Sequence, residues 1–134
     1  MPLDPDTFRA EPDGPYWRFE TTPRLGQFDI AAPPSADDWG PDAAALTHLE
    51  AALARIDALY DAALIEAEKG WVARYNAPLR SRDAWSLIRL FADASAVIAL
   101  SLNEGEFDTY CLWVVTFSAG QPSTVDHRIW GGAS

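Results

Sequence analysis

The clearest pattern in the chain is helical, and it begins soon after residue 40. Apolar residues recur there at spacings of three and four, with charged residues mainly between them: Leu46, Leu49, Leu53, Ile56, Tyr60, and Ala63 or Leu64. One apolar stripe of this period is typical of an amphipathic helix that packs on a core. The pattern predicts one long helix from about 41 to 69, where Gly70 can end or bend it, and 71–75 as one further helical turn.

The segment before this helix has the composition of a helix start. Proline is tolerated in a first turn, and carboxylates suit the unpaired backbone N–H groups and the positive end of the helix dipole. This cluster consists of Asp37, Asp38, Gly40, Pro41 and Asp42.

The C-terminal half is rich in branched and aromatic residues and has the period of two that indicates strands. Four such segments, separated by turn-forming residues, lie at 85–91, 96–102, 109–117 and 123–130. Consecutive strands with short connections pair in the antiparallel sense. We therefore predict a four-strand meander, with the helix covering its more apolar face.

The N-terminal third predicts a hairpin that follows a loose arm. Aromatic and polar residues alternate over 16–22, and 27–31 can pair with that segment as a second short strand. Residues 1–15 contain four prolines and a glycine among several acids. Because this composition disfavours both helix and central strand, it predicts a flexible or draped arm.

Length and composition indicate one domain. A chain of 134 residues with 49% hydrophobic and 12% aromatic content can fill one core, and no repeat or linker divides it. The prediction is a single α+β domain over residues 1–134. Its antiparallel sheet, an N-terminal hairpin plus the four-strand C-terminal meander, packs against one long amphipathic helix.

The net charge of −10 is confined to the first half of the chain. Residues 1–68 carry 14 acidic and four basic side chains, whereas the remainder carries six of each. An acidic chain repels phosphate backbones, so nucleic acid is not an expected partner. The same asymmetry can steer a basic protein toward one face, although a merely solvated acidic surface explains it as well.

The chain carries no signature of export or of membrane insertion. No segment has the basic start and apolar run of a signal peptide, and the most apolar stretch, 111–117, is shorter than the roughly 20 residues of a transmembrane helix. The single Cys111 cannot form an internal disulfide. We expect a cytoplasmic protein with no membrane partner.

Candidate catalytic groups are few. His127 stands beside Asp126, but neighbours on a strand point to opposite faces, so Asp126 cannot readily orient it. His48 has no suitably spaced acid, and the apolar neighbours of Cys111 indicate a packed core cysteine. Two distant histidines and one cysteine give no zinc spacing, and no glycine-rich phosphate loop occurs. The sequence predicts no catalytic residue, no metal and no cofactor, which favours a protein that is not an enzyme.

Two groups of residues are candidates for partner binding. The first is Asp37, Asp38, Trp39 and Asp42, where an exposed tryptophan among acids would form a binding hot spot. The alternative is that Trp39 packs on the first helical turns as a hydrophobic staple. The second group, Glu104, Glu106 and Asp108, has the spacing of a three-carboxylate cluster on a hairpin turn. A partner, a hard cation or solvent alone could face that cluster.

The sequence from 104 onward reads Glu-Gly-Glu-Phe-Asp-Thr-Tyr-Cys-Leu-Trp-Val-Val-Thr-Phe-Ser-Ala-Gly, and a last strand ends in Arg-Ile-Trp-Gly-Gly. This hairpin resembles the C-terminal hairpin of small bacterial α+β families, some of which are similar to immunity proteins encoded beside polymorphic toxins. Those families often have a histidine just after the Asp, where this chain has Thr109 and Tyr110. The resemblance implies a domain that binds another protein, and it carries over no catalytic or metal residue.

The first functional hypothesis is therefore a non-enzymatic, immunity-like inhibitor that presents an acidic face to a basic protein, such as a cognate toxin. The alternative is a small-molecule-binding or enzymatic domain, with an aromatic pocket between helix and sheet lined by Trp85, Trp113, Tyr60 and His127. A structural subunit that forms a homodimer is a third hypothesis.

Overall fold

One seven-stranded sheet covered by two helices forms the fold. The protein is described by a computed structural model that covers residues 3–11, 16–21 and 28–129. Its strands are β1 Arg9–Ala10, β2 Trp17–Thr21, β3 Phe28–Ala32, β4 Trp85–Ala92, β5 Ile98–Glu104, β6 Asp108–Ser118 and β7 Gln121–Ile129. The helices are α1 Ala43–Leu53 and α2 Ile56–Tyr75, and short 3-10 turns lie at Pro5–Thr7 and Arg82–Ala84. In the described part of the chain, neither helix is long and apolar enough to cross a membrane.

The strands lie in the sheet in the order in which they occur in the chain. Neighbours are antiparallel except β3 and β4, which pair in parallel through Asp29↔Arg89, Ile30↔Leu90 and Ala31↔Phe91. A parallel pair needs a crossover connection, and α1 and α2 form it. The α+β class with a mostly antiparallel sheet is confirmed, but the predicted hairpin and meander are parts of one continuous sheet.

The prediction of one long helix is wrong. Helical geometry is lost at Arg55, whose φ and ψ are −124° and 23°, and the Arg55 N–H donates to the Ala52 carbonyl in a tight turn. A straight helix from 43 to 75 would be roughly 50 Å long, whereas seven strands span roughly 30 Å. The break lets α1 lie over β3, β4 and β5 while α2 lies over β5, β6 and β7.

The core lies between the helices and one face of the sheet. Alternation along the strands directs Ile98, Leu100 and Leu102 of β5 and Val115 of β6 toward the helices, and all four are buried. The described part of the N-terminal arm also contributes, since Leu3 and Phe8 are buried and the Leu3 N–H donates to the Glu50 carboxylate. Residues 12–15, residues 22–27 between β2 and β3, and Trp130 lie outside the described residues.

Gly70 does not end the helix, which continues to Tyr75. The glycine instead allows α2 to approach the sheet closely, because a Cβ added at Gly70 would lie 2.8 Å from Cζ3 of Trp113. Trp113 is itself buried, and its ring packs against His127 with the centroids 4.3 Å apart. The missing side chain therefore fixes how near α2 lies to β6.

We expect Gly70→Ala to lower the free energy of unfolding by up to about 2 kcal/mol. Alanine gains about 1 kcal/mol of helix propensity, but overpacking a tight core contact costs about 1–3 kcal/mol. Urea denaturation measures the difference, and Lys69→Ala on the exposed side of the same turn is the control. A stabilised Gly70→Ala variant would show that the Trp113 ring moves aside without cost.

Candidate functional site

A buried polar cluster lies where the end of α2 meets β6 and β7. Its centre is Asp108, whose residue surface is only 6% exposed. One carboxylate oxygen, Oδ2, accepts hydrogen bonds from the Tyr75 hydroxyl at 2.8 Å and from Trp113 Nε1 at 3.2 Å, and it lies 2.9 Å from His127 Nε2. His127 donates this third bond when its Nε2 carries a proton. Three elements thus converge on one oxygen atom.

A β-bulge places Asp108 in this position. Leu102 pairs with Trp113 and Glu104 with Asp108, so the single residue Asn103 of β5 stands opposite four residues of β6, 109–112. The buried Asn103 side chain occupies the gap, and its Nδ2 donates to the carbonyls of Asp108, Thr109 and Cys111 at 2.8–3.3 Å. Bulges redirect side chains in this way. The bulge therefore turns the Asp108 side chain into the protein interior.

The turn before β6 is held by a second buried carboxylate. Glu104 is completely buried, and its oxygens accept hydrogen bonds from the backbone N–H groups of Glu106, Phe107 and Asp108. Arg80 Nε lies 4.0 Å from Glu104 and its guanidinium also pairs with Glu106 at 3.0 Å. Glu104 is therefore a structural residue of the turn.

The last residue of α2 supplies the hydroxyl of the cluster. The helix ends at Tyr75, and Asn76 directly after it turns the chain away with left-handed φ and ψ of 49° and 46°. The Tyr75 ring packs edge-on against Phe107 and against His127, and it also contacts Trp71. These contacts fix the hydroxyl beside the Asp108 carboxylate.

Burial and hydrogen bonding oppose each other at Asp108. Burial alone would raise the pKa of its carboxyl, but hydrogen bonds from His127, Cys111 and Tyr75, with the charge of His127, hold the pKa below its ordinary value. Burial raises the pKa of the Tyr75 hydroxyl, and its bond to Asp108 raises it further. Burial, then the hydrogen bond and charge of Asp108, raise the pKa of the Cys111 thiol. The Asp108 carboxylate thus stands among hydrogen-bond donors from three other side chains.

The arrangement differs from that of a catalytic triad. In a triad the acid and the nucleophile occupy opposite nitrogens of the histidine. Here the Cys111 thiol and His127 Nε2 both interact with Asp108. A carboxylate oxygen of Asp108, a ring nitrogen of His127 and the sulfur of Cys111 lie within 4.8 Å of one another. A raised thiol pKa also disfavours a nucleophilic role. The three side chains converge as donors of O, N and S.

A groove opens on one side of the cluster. It runs between α2 and β7, has a volume of about 470 Å³, and is bordered by Gly70, Ala73, Arg74, Trp113, Val125 and His127. The alternative hypothesis of an aromatic pocket predicted Trp113 and His127 in such a place. Trp85 is instead buried in the core, and Tyr60 packs against the core from α2.

Strand alternation predicted that Asp126 is not the partner of His127, and the structure agrees, since Asp126 lies on the other face and pairs with Arg128 at 3.2 Å. The actual partner, Asp108, lies 19 positions away in the sequence and was not predicted. A regular hairpin register places Trp113 opposite His127 and gives no sign of the bulge that brings in Asp108. Cys111 is half-buried and contacts Asp108, a contact that its apolar neighbours did not indicate.

The three-carboxylate cluster does not form as an exposed acidic face. Glu104 and Asp108 are turned inward and buried, so only the carboxylate of Glu106 reaches solvent, where it pairs with Arg80. The i, i+2 spacing predicts that the three carboxylates lie on one side of the turn. Glu104 and Asp108 can be buried because backbone N–H groups of the turn and the donors around Asp108 provide the hydrogen bonds that water would otherwise supply.

Trp39 lies at the tip of the loop between β3 and α1 and is 85% exposed. The staple prediction is therefore wrong. Asp42 caps α1 by accepting from the Ala45 N–H at 2.9 Å. Asp37 accepts from the Ser35 hydroxyl and from the Trp39 N–H, and these two bonds lower the pKa of its carboxyl. Asp38 has a positive φ of 64°. Of this first group, Asp37, Asp38 and Trp39 share the loop tip.

Comparison of the chain with protein-family models, with curated proteins and with solved structures finds no match. The resemblance of the C-terminal hairpin to immunity-like families therefore stays a prediction.

We expect Asp108→Asn to lower the free energy of unfolding at pH 7 by about 1–3 kcal/mol, the usual cost of removing a charge-assisted buried hydrogen bond. Because the folded-state pKa of Asp108 lies below its unfolded value, its contribution is fully present above pH ~4 and is lost as the pH falls through the folded pKa.

Urea denaturation of wild type and variant between pH 7 and pH 3 tests this expectation. The difference between the two proteins should shrink below pH ~4. Asp83→Asn, in an exposed turn, is the control and should change the free energy by less than about 0.5 kcal/mol. A difference that grows toward pH 3 would contradict the assigned direction.

Proposed function

We propose that the protein is a non-enzymatic binding domain that presents the loop tip Asp37, Asp38 and Trp39 to a basic protein partner, acting in the cytoplasm as an immunity-like inhibitor. The observation that carries the proposal is the 85% exposure of Trp39. Tryptophan is costly to leave in water and is enriched among the residues that dominate binding energy. An exposed tryptophan on an ordered loop is a feature that partner binding explains.

The loop that carries Trp39 is held by its own backbone. The Ser35 N–H donates to the Gly40 carbonyl at 2.7 Å, the Asp38 N–H to Ser35 at 2.9 Å, and the Asp42 N–H to Pro33 at 2.8 Å. Pro34 and Pro41 face each other in an isolated β-bridge. A loop ordered before binding loses less conformational entropy on association, so more of the contact energy appears as affinity.

The charge around Trp39 defines the chemistry of the partner. From residue 28 to residue 54 the chain contains five acidic residues and no lysine or arginine. In the described part of the chain, Asp37 and Asp38 have no cation within ion-pairing distance, whereas Asp29, Asp61 and Asp126 are paired. Lysine or arginine of a partner could pair with these carboxylates and stack on the indole ring.

Of the partner-binding residues predicted from the sequence, Asp37, Asp38 and Trp39 form the proposed binding surface. Asp42 is engaged as the cap of α1, and Glu104 and Asp108 are buried in structural roles. Glu106 is exposed but neutralised by Arg80. The likeness of the hairpin to immunity-like families agrees with a binding role and supports a toxin as the basic partner.

We expect affinity capture with the tagged protein, from a lysate of its source, to retain a basic protein that elutes with rising salt. Trp39→Ala should weaken the complex by about 30-fold or more, since truncation of a hot-spot tryptophan costs at least about 2 kcal/mol. Tyr110→Ala is the matched control, because Tyr110 is 81% exposed and lies on β6. Equal affinities for Trp39→Ala and wild type would refute the assignment.

Charge neutralisation tests the electrostatic part separately. Asp37→Asn with Asp38→Asn should slow association at low salt, and the difference from wild type should vanish as salt screens the charges. Asparagine keeps the hydrogen-bonding shape at Asp37 and tolerates the positive φ at Asp38. Biolayer interferometry with the captured partner gives the rates. An unchanged on-rate at low salt would remove the carboxylates from the proposal.

A further inference from the structure

Partner binding through the Trp39 loop does not account for the convergence of Asp108, Cys111 and His127. We propose that these three side chains form a binding site for a transition-metal ion of the zinc class, with a water molecule in the fourth position. The inference rests on the geometry of the cluster and is independent of the Trp39 loop.

The three ligand atoms are already close to the spacing that a metal requires. Zinc binds oxygen and nitrogen at about 2.0–2.2 Å and sulfur at about 2.3 Å, which places tetrahedral ligands roughly 3.3–3.7 Å apart. In the protein the carboxylate oxygen, His127 Nε2 and Cys111 Sγ lie within 4.8 Å of one another, and the first two are 2.9 Å apart. Small side-chain shifts suffice to admit the ion.

The backbone brings these ligands together only because of the bulge. Residues 108 and 111 are three positions apart and would point to opposite faces of a regular strand. Cys111 lies two positions before Trp113 in the regular β6–β7 pairing and so shares its face, which also carries His127. The bulge opposite Asn103 turns Asp108 to the same side. Asn103 holds the bulge through its bonds to the Asp108 and Cys111 carbonyls. A buried asparagine thus supports the ligand geometry.

Electrostatics also favour a cation at this point. Burying a carboxylate is costly unless a charge pairs with it. Within the described residues, the ion-pair partner of Asp108 is His127, which carries a charge only when protonated. A divalent ion bound by the three side chains would pair a permanent positive charge with the Asp108 carboxylate.

The surrounding groups match an outer ligand shell. Trp113 Nε1 and the Tyr75 hydroxyl both donate to the Asp108 carboxylate and so fix its orientation. Such outer hydrogen bonds orient metal ligands and strengthen binding. The groove beside His127 and Trp113 gives an ion and a water molecule a path from solvent.

The donor set selects the metal. A sulfur and a nitrogen ligand disfavour magnesium and calcium, which prefer all-oxygen sites, and suit zinc and its neighbours in the first transition row. On binding, the Cys111 S–H bond breaks, its proton passes to solvent and the thiolate electron pair forms the bond to the metal. The proton on His127 Nε2 also leaves, so that the Nε2 lone pair binds the metal while Nδ1 carries the ring proton. The oxidation state of the metal does not change.

The test titrates the protein, stripped with a chelator, with Co²⁺. We expect saturation at one ion per chain, with a near-ultraviolet thiolate-to-cobalt band and strong visible bands of tetrahedral cobalt. Cys111 is the single cysteine of the chain, so a thiolate band reports on this residue alone. Added Zn²⁺ should displace the cobalt, bleach the bands and protect Cys111 from alkylation by iodoacetamide.

The variants Cys111→Ser and His127→Gln separate this site from adventitious binding. Each variant should lower the affinity for Zn²⁺ at least about tenfold, since losing even an outer hydrogen-bond partner of a metal ligand lowers metal affinity about 10–100-fold. His48→Gln, which changes the other histidine of the chain, is the control and should bind Zn²⁺ as the wild type does. Circular dichroism checks that each variant is folded.

Two results would overturn the proposal. One is the absence of a thiolate band together with unprotected Cys111 in the wild-type protein. The other is equal affinity in Cys111→Ser, His127→Gln and wild type. Either would show that the cluster is a hydrogen-bond network that only joins α2 to the sheet.

Discussion

A carboxylate buried at the junction of α2, β6 and β7 is the constraint on which this half of the molecule depends. Asp108 could not remain inside without donors, and the donors come from three different elements: Tyr75 from α2, Trp113 from β6 and His127 from β7. The need for these donors also constrains the position of α2. Trp113 has to lie in a fixed place, so α2 needs glycine at position 70 where it crosses the ring. One buried charge therefore determines helix position, strand irregularity and side-chain orientation together.

The other half of the molecule is organised by a different requirement. β3 and β4 are neighbours and parallel, so the chain must cross from one end of the sheet to the other between them, and α1 and α2 make this crossing. The helices cover the apolar face of the sheet on the way. The loop that leads from β3 into α1 lies outside this core and ends in its own hydrogen-bonded tip. Trp39 stays exposed because the core is complete without it.

The two proposals use different physics on the same scaffold. Partner binding would draw on surface features, an exposed indole ring and carboxylates that form no ion pair with the described residues, whose contributions depend on salt and on the partner. Metal binding would draw on a desolvated cluster with three kinds of ligand atom, whose affinity depends on backbone geometry. Because the first site lies on a loop and the second on the β6 bulge, neither proposal requires the other.

Local pattern determined the class of the fold. The periods of two and 3.6 predicted the helical region, the four C-terminal strands and the mixture of helix with antiparallel sheet, since each depends on residues close in sequence. The break at Arg55, the parallel pairing of β3 with β4 and the passage of α2 through Gly70 depend on the sheet as a packed surface, so only the tertiary structure decided them. The same holds for the site. Residue types indicated that Trp39 could bind, but its exposure was decided by the loop, and Asp108 meets His127 only because an irregular register carries it across.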